Sequence, residues 1–135
     1  MRVRTAEELF DVCKGFSTIG RLRGNRVAII TNSGGPAVLA ADWAEDVGLN
    51  VSEPSSDARR RLAEFLPPQC ALKNPIDLTV EGNEDGYRKT LDVLSDGYDA
   101  MVAMNIAPPY LNSVPLARGI CAATGAAPTA NRSSG

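Results

Sequence analysis

Short blocks of apolar, β-branched residues alternate along the chain with longer stretches in which apolar residues recur every three or four positions. The first pattern predicts strands buried on both faces, and the second predicts helices. Thr5-Ala6-Glu7-Glu8 has the form of a capping box. Thr5 can accept from the backbone N–H of Glu8, and Glu8 can reach back to the N–H of Thr5. A helix should follow, with Leu9, Val12, Cys13 and Phe16 on one face. Gly20 to Asn25 is polar and glycine-containing, and reads as a loop.

Val27-Ala28-Ile29-Ile30-Thr31 predicts a buried strand, and Asn32-Ser33-Gly34-Gly35 a tight turn. Pro36 then suits the first helical position, where its missing N–H is not needed. The helix should run to about Val47, with Leu39, Trp43 and Val47 stacked at i, i+4 and i+8, and Gly48 as a left-handed cap. Leu49 to Val51 reads as a weaker second strand. Pro54-Ser55-Ser56-Asp57 offers caps for a helix through Leu66, with Ala58, Leu62, Phe65 and Leu66 inward, and Pro67-Pro68 stops it. Asn74 to Leu78 predicts an edge of a third strand. Asn83 caps a helix carrying Tyr87, Leu91 and Leu94, which Gly97 ends. Met101 to Met104 predicts a further buried strand, closed by Pro108-Pro109. Trp43 and the methionines are expected in the core.

Strands alternating with helices argue for βαβ units and a parallel sheet covered on both faces. No internal repeat is present. The division expected is an N-terminal helix and linker over 1–24, an α/β domain over 25–121, and a disordered tail over 122–135, poor in large apolar residues.

Composition narrows the function. The chain has 135 residues, 44% apolar and 22% charged, with a formal net charge of −2. Neither a nucleic-acid partner nor a membrane surface is implied. No apolar run approaches the roughly 20 residues of a membrane span. Arg59, Arg60 and Arg61 are spread around a helical turn and read as solvated. Cys13, Cys70 and Cys121 are odd in number and far apart, so reduced thiols in a cytoplasmic protein are expected, with no zinc site. The chain contains no histidine, which removes histidine triads, imidazole metal sites and histidine base catalysis from its own chemistry.

The candidate chemistry lies in Thr31-Asn32-Ser33-Gly34-Gly35-Pro36. A helix start at the carboxyl end of a parallel strand presents free N–H groups and the positive end of the helix dipole. Glycines let an anion approach the backbone, so Asn32, Ser33, Gly34, Gly35 and Pro36 form a candidate phosphate site. A plain tight turn fits the same spacing, and both readings stand at this level. The stretch is not a Walker A loop, because no Gly-Lys-Ser/Thr occurs; nor is it G-x-G-x-x-G or the G-x-S-x-G elbow. Asn74 and Asp77, near a strand end, can hold a loop or face a ligand. No catalytic residue and no metal ligand is assigned.

Several of these stretches together resemble a known family. Val27 to Pro36 followed by Val38-Leu39-Ala40-Ala41-Asp42, Leu66-Pro67-Pro68, Lys73 to Thr79, Tyr87-Arg88 and the lead-in Thr5 to Phe10 are similar to the C-terminal flavodoxin-like ligase domain of ADP-forming acetyl-CoA synthetases. These belong to the nucleoside-diphosphate-forming acyl-CoA synthetases, with succinyl-CoA synthetase. The resemblance covers roughly residues 3–110. It implies a flavodoxin-like, three-layer open parallel sheet, here expected to be truncated at its C-terminal end. It also implies part of an enzyme that converts acid, CoA and ATP to acyl-CoA, ADP and phosphate through a phosphohistidine on a neighbouring domain. The glycine-rich helix start would face that phosphohistidine. CoA, ATP/ADP and Mg would be bound by CoA-binding and ATP-grasp partner domains or subunits, and none by this chain alone. An alternative implication is a regulatory module, since the same domain set also occurs fused to GNAT-type protein acetyltransferases.

Overall fold

The computed structural model describes residues 3–19, 22–80, 82–107 and 113–124. Among them, β1 (Val27–Thr31) is the centre of a parallel sheet, flanked by β2 (Ile76–Asp77) and β3 (Ala100–Ala103). The register sets Ile30 and Thr31 beside Ile76 and Asp77, and Val27 to Ile30 beside Ala100 to Ala103. The helices are α1 (Ala6–Thr18), α2 (Gly34–Asp46), α3 (Ser56–Ala63), α4 (Glu84–Leu94) and α5 (Val114–Thr124). The order β2-β1-β3, with helical crossovers between parallel strands, is the flavodoxin-like arrangement.

All five residues of β1 are buried, as a strand covered on both faces must be. Alternation turns Ala28 and Ile30 to one face. There they join Leu62 of α3, Leu66 beyond its end, Tyr87, Leu91 and Leu94 of α4, and Leu116 of α5 in one core cluster. Val27 and Ile29 point to the other face, against which α2 lies.

The orientation of α2 corrects the expected one. The buried Ala37 and half-buried Ala40, Ala41 and Ala44 face inward. Leu39, Trp43 and Val47 are 65%, 75% and 76% exposed. The helix is apolar on both sides, so its pattern does not select the inner face. The small side chains that let it approach the sheet closely do. Trp43 is therefore outside the core, whereas Met101 packs against it. Likewise α1 is amphipathic yet buries no residue, and Phe16 is 67% exposed.

One edge of β1 is completed in three ways. At its start, Val27 N–H donates to the Asn50 carbonyl (2.9 Å) and Asn50 N–H to the Asn25 carbonyl (2.8 Å), an isolated parallel bridge in place of the second strand expected at 49–51. At its end, Leu78 N–H donates to the Thr31 carbonyl (2.7 Å). Between them stands a side chain: Asn74 Oδ1 accepts from Ile29 N–H (2.9 Å), and Asn74 Nδ2 donates to the carbonyls of Val27 (2.7 Å) and Ser52 (3.1 Å). The amide of Asn74 thus supplies the ladder bonds that a strand residue would make. The Asn74–Pro75 peptide is cis.

Local signals hold elsewhere. Glu8 N–H donates to Thr5 Oγ1, Ala58 N–H to Ser55 Oγ and Gly86 N–H to Asn83 Oδ1. Gly48 takes φ +85° after α2. In the capping box, Glu8 reaches back to the N–H of Arg4 instead of Thr5. Helix α3 ends at Ala63, short of Leu66, and a helix α5 continues to Thr124, past the expected domain end at 121. Pro108-Pro109 and the tail beyond Thr124 lie outside the described residues.

Candidate anion site at the start of α2

The site is built on the last residue of β1. Thr31 is fully buried, and its hydroxyl closes the following turn on itself. Thr31 Oγ1 accepts from Ser33 N–H (3.1 Å) and donates to the Ser33 carbonyl (3.2 Å). Asn32 is clamped beside it, donating to the Ile106 carbonyl (3.0 Å) and accepting from Ile106 N–H (2.8 Å). Turn and post-β3 segment are thereby held together at the carboxyl ends of the strands.

This geometry sets Ser33, in extended conformation, as the N-cap of α2, but its side chain makes no cap hydrogen bond. The first turn of α2 also lacks an acidic residue. In α1, α3 and α4, by contrast, side chains of Thr5, Ser55 and Asn83 cap the N-terminus and acidic residues follow. The N–H groups of Gly34 and Gly35 have no acceptor within their own helix, and both residues are exposed. Nothing lies within 4 Å of the position a Cβ on Gly35 would take. An anion can therefore approach the backbone there, toward the positive end of the helix dipole.

Asp77 closes one flank. Its Oδ1 accepts from the N–H of Thr79 (2.8 Å), a residue held at φ +58°. Its Oδ2 stands 3.2 Å from where a Cβ on Gly34 would be. Beneath it, the Tyr87 hydroxyl donates to the Met104 carbonyl (2.7 Å). Burial, with the nearby Asp77 charge adding to it, pushes the Tyr87 pKa well above its ordinary value, so the phenol stays neutral.

Of the residues picked from sequence, Ser33, Gly34, Gly35 and Asp77 come together, and Pro36 follows half-buried in the first turn. Asn32 is at the turn, but its amide is engaged by Ile106. Asn74 lies away from the turn, along the edge of β1. Thr31 stood in the candidate stretch without an assigned role, and Tyr87 and Ile106 were not marked as parts of this corner. Thr31 carried a usable signal, a hydroxyl two residues before a turn, whereas the contact with Ile106 spans 74 positions and left none. Chemically the corner offers N–H donors and one carboxylate. Among the described residues, no group of His, Cys, Asp and Glu can hold a metal ion. A hollow of about 240 Å³ lined by Phe65, Pro67, Leu78 and Asn83 lies beyond Asp77, between the end of α3 and the start of α4.

Fold and corner together define a flavodoxin-like domain with an open, glycine-rich βα turn. The chain belongs to the Ligase-CoA domain family, which matches residues 27–110. It is 37% identical over 113 residues to the alpha subunit of ADP-forming acetate–CoA ligase II of Pyrococcus furiosus, covering 82% of this chain and 24% of that protein. The structure of PH0766 from Pyrococcus horikoshii superposes with a TM-score of 0.82 at 33% identity, covering 91% of this chain and 29% of that one. The dinucleotide-forming acetyl-coenzyme A synthetase 1 of Ca. Korarchaeum cryptofilum, in complex with phosphate and ADP, gives a TM-score of 0.82 at 26% identity, with 91% and 27% covered. The chain thus spans about a quarter of the length of these relatives. No helix among the described residues is long and apolar enough to cross a membrane.

Proposed function

We propose that this chain acts within a nucleoside-diphosphate-forming acyl-CoA synthetase, where the start of α2 stabilises a phosphoryl group carried by a histidine of a neighbouring domain. The observation that carries this reading is the open start of α2: exposed Gly34 and Gly35 N–H groups, no capping side chain and no acid in the first turn. Preorganised N–H donors aimed at a transferring phosphoryl group lower the barrier without covalent chemistry. The chain has no histidine, so the phosphoryl carrier belongs to another domain or subunit. The same holds for CoA, ADP or ATP, and Mg, which the CoA-binding and ATP-grasp domains would bind in the cytoplasm. Within this chain Ser33, Gly34 and Gly35 orient the group, Thr31 and Asn32 hold the turn rigid, and Asp77 limits the approach to the Gly35 side.

The test is a replacement. The matching region of the Pyrococcus furiosus alpha subunit is exchanged for this chain, with and without Gly35→Asp. An aspartate in the first turn favours the helix itself, so it blocks the anion without weakening α2. The unaltered exchange should retain ADP-forming ligation, and Gly35→Asp should lower its kcat about 10²-fold or more. Equal activity of the two would contradict the proposal.

A further inference from the structure

Helix α2 is apolar on two sides, and only one of them faces the sheet. Ala37, Ala40, Ala41 and Ala44 pack inward, while Leu39, Trp43 and Val47 form an outward ridge at i, i+4 and i+8. A row of large apolar side chains left exposed marks a contact surface, and ridges at this spacing are what pack into the grooves of another helix. The flank of the ridge is acidic: Asp42 and Asp46 lie on it, and α2 contains no basic residue.

We propose that the Leu39-Trp43-Val47 ridge docks another domain of the same synthetase, through an apolar face edged with lysine or arginine. Resting on the proposed function above, the inference specifies where the phosphoryl-carrying partner seats. Three observations select this occupant. The matched relatives are about four times longer than the matched region, so most of each ligase lies outside it. The acidic flank complements a basic edge, whereas a second copy of the chain would set Asp42 and Asp46 against their like. The ridge also starts at Leu39, roughly 6 Å along the axis from Gly35 at 1.5 Å per residue. A body seated there borders the open N–H groups and can present a group to them.

Trp43 is the only tryptophan in the chain and stands at the centre of the ridge, so its emission reports docking directly. The probe is the Pyrococcus furiosus alpha subunit with its own matching region and all tryptophans removed, titrated into the full chain. The emission should move to shorter wavelength with saturation, and Leu39→Glu with Val47→Glu should weaken binding at least tenfold. Both positions are exposed, so the double variant should keep the circular dichroism spectrum of the parent. Sedimentation of the chain alone should show a monomer. Absence of the emission shift, binding unaffected by the two glutamates, or a dimer that buries Trp43 would each overturn the proposal. Shifts of the Ser33–Gly35 amides on phosphate addition to the free chain test the anion site separately, so the two readings fail independently.

Discussion

Single side chains stand in for missing pieces of regular structure in this domain. Asn74 occupies the middle of one edge of β1, where the strand expected at 49–51 contributes only the Asn50 bridge. Replacing it with alanine removes three hydrogen bonds, stranding the Ile29 N–H and the Val27 carbonyl, while the Ser52 carbonyl keeps the Tyr98 hydroxyl (2.8 Å). At a net 0.5–1.5 kcal/mol per hydrogen bond, Asn74→Ala should cost about 3 kcal/mol in urea unfolding. Tyr87 predicts a pH effect. Its folded-state pKa is raised, chiefly by burial, above the unfolded value of about 10. The folded chain then holds the phenolic proton where the unfolded chain has lost it, so stability is unaffected by this group below about pH 10 and falls as pH rises further. Tyr87→Phe should lose the bond to Met104, about 1 kcal/mol at neutral pH, and flatten that alkaline fall. Neither role was legible in the sequence. Asn74 was marked for its place near a strand end and Tyr87 for its helical spacing, but their partners lie 45 and 17 positions away.

At the scale of elements, what was legible depended on the range of the controlling interaction. The caps at Thr5, Ser55 and Asn83 and the stop at Gly48 involve neighbours within a few residues, and they form as expected. The strand at 27–31 was readable because an unbroken β-branched run has few other uses. The inward face of α2 was not readable, because alanines and large apolar residues alternate around it and only contact with the sheet decides between them. The turn itself was readable as a helix start on glycines, but not that Asp77 would stand against one of them. That difference separates two substitutions. Gly35→Ala meets open space and should stabilise the chain by about 0.5–1 kcal/mol through lost freedom of the unfolded state. Gly34→Ala brings a Cβ to 3.2 Å from Asp77 Oδ2 and should gain less or lose stability. Parallel urea titrations of the two variants check the ordering.

The whole molecule leaves several large apolar side chains exposed among its described residues. Helix α1 buries nothing, α2 carries its largest apolar residues outward, and β3 is the outer strand of the described sheet, with Val102 exposed. The chain matches about a quarter of the length of the Pyrococcus furiosus ligase subunit it resembles. Under the proposed role the domain would act through electrostatics, with a turn fixed by Thr31 and Asn32 and two glycine N–H groups at an uncapped helix start. The proposed role turns on selective anion binding at one helix start among several. The direct measurement is an amide NMR titration of the chain with inorganic phosphate. The account predicts saturable shifts confined to Ser33, Gly34 and Gly35, with the capped starts at Glu8, Ala58 and Gly86 unmoved. No shift at the glycines, or equal shifts at all four helix starts, would contradict it.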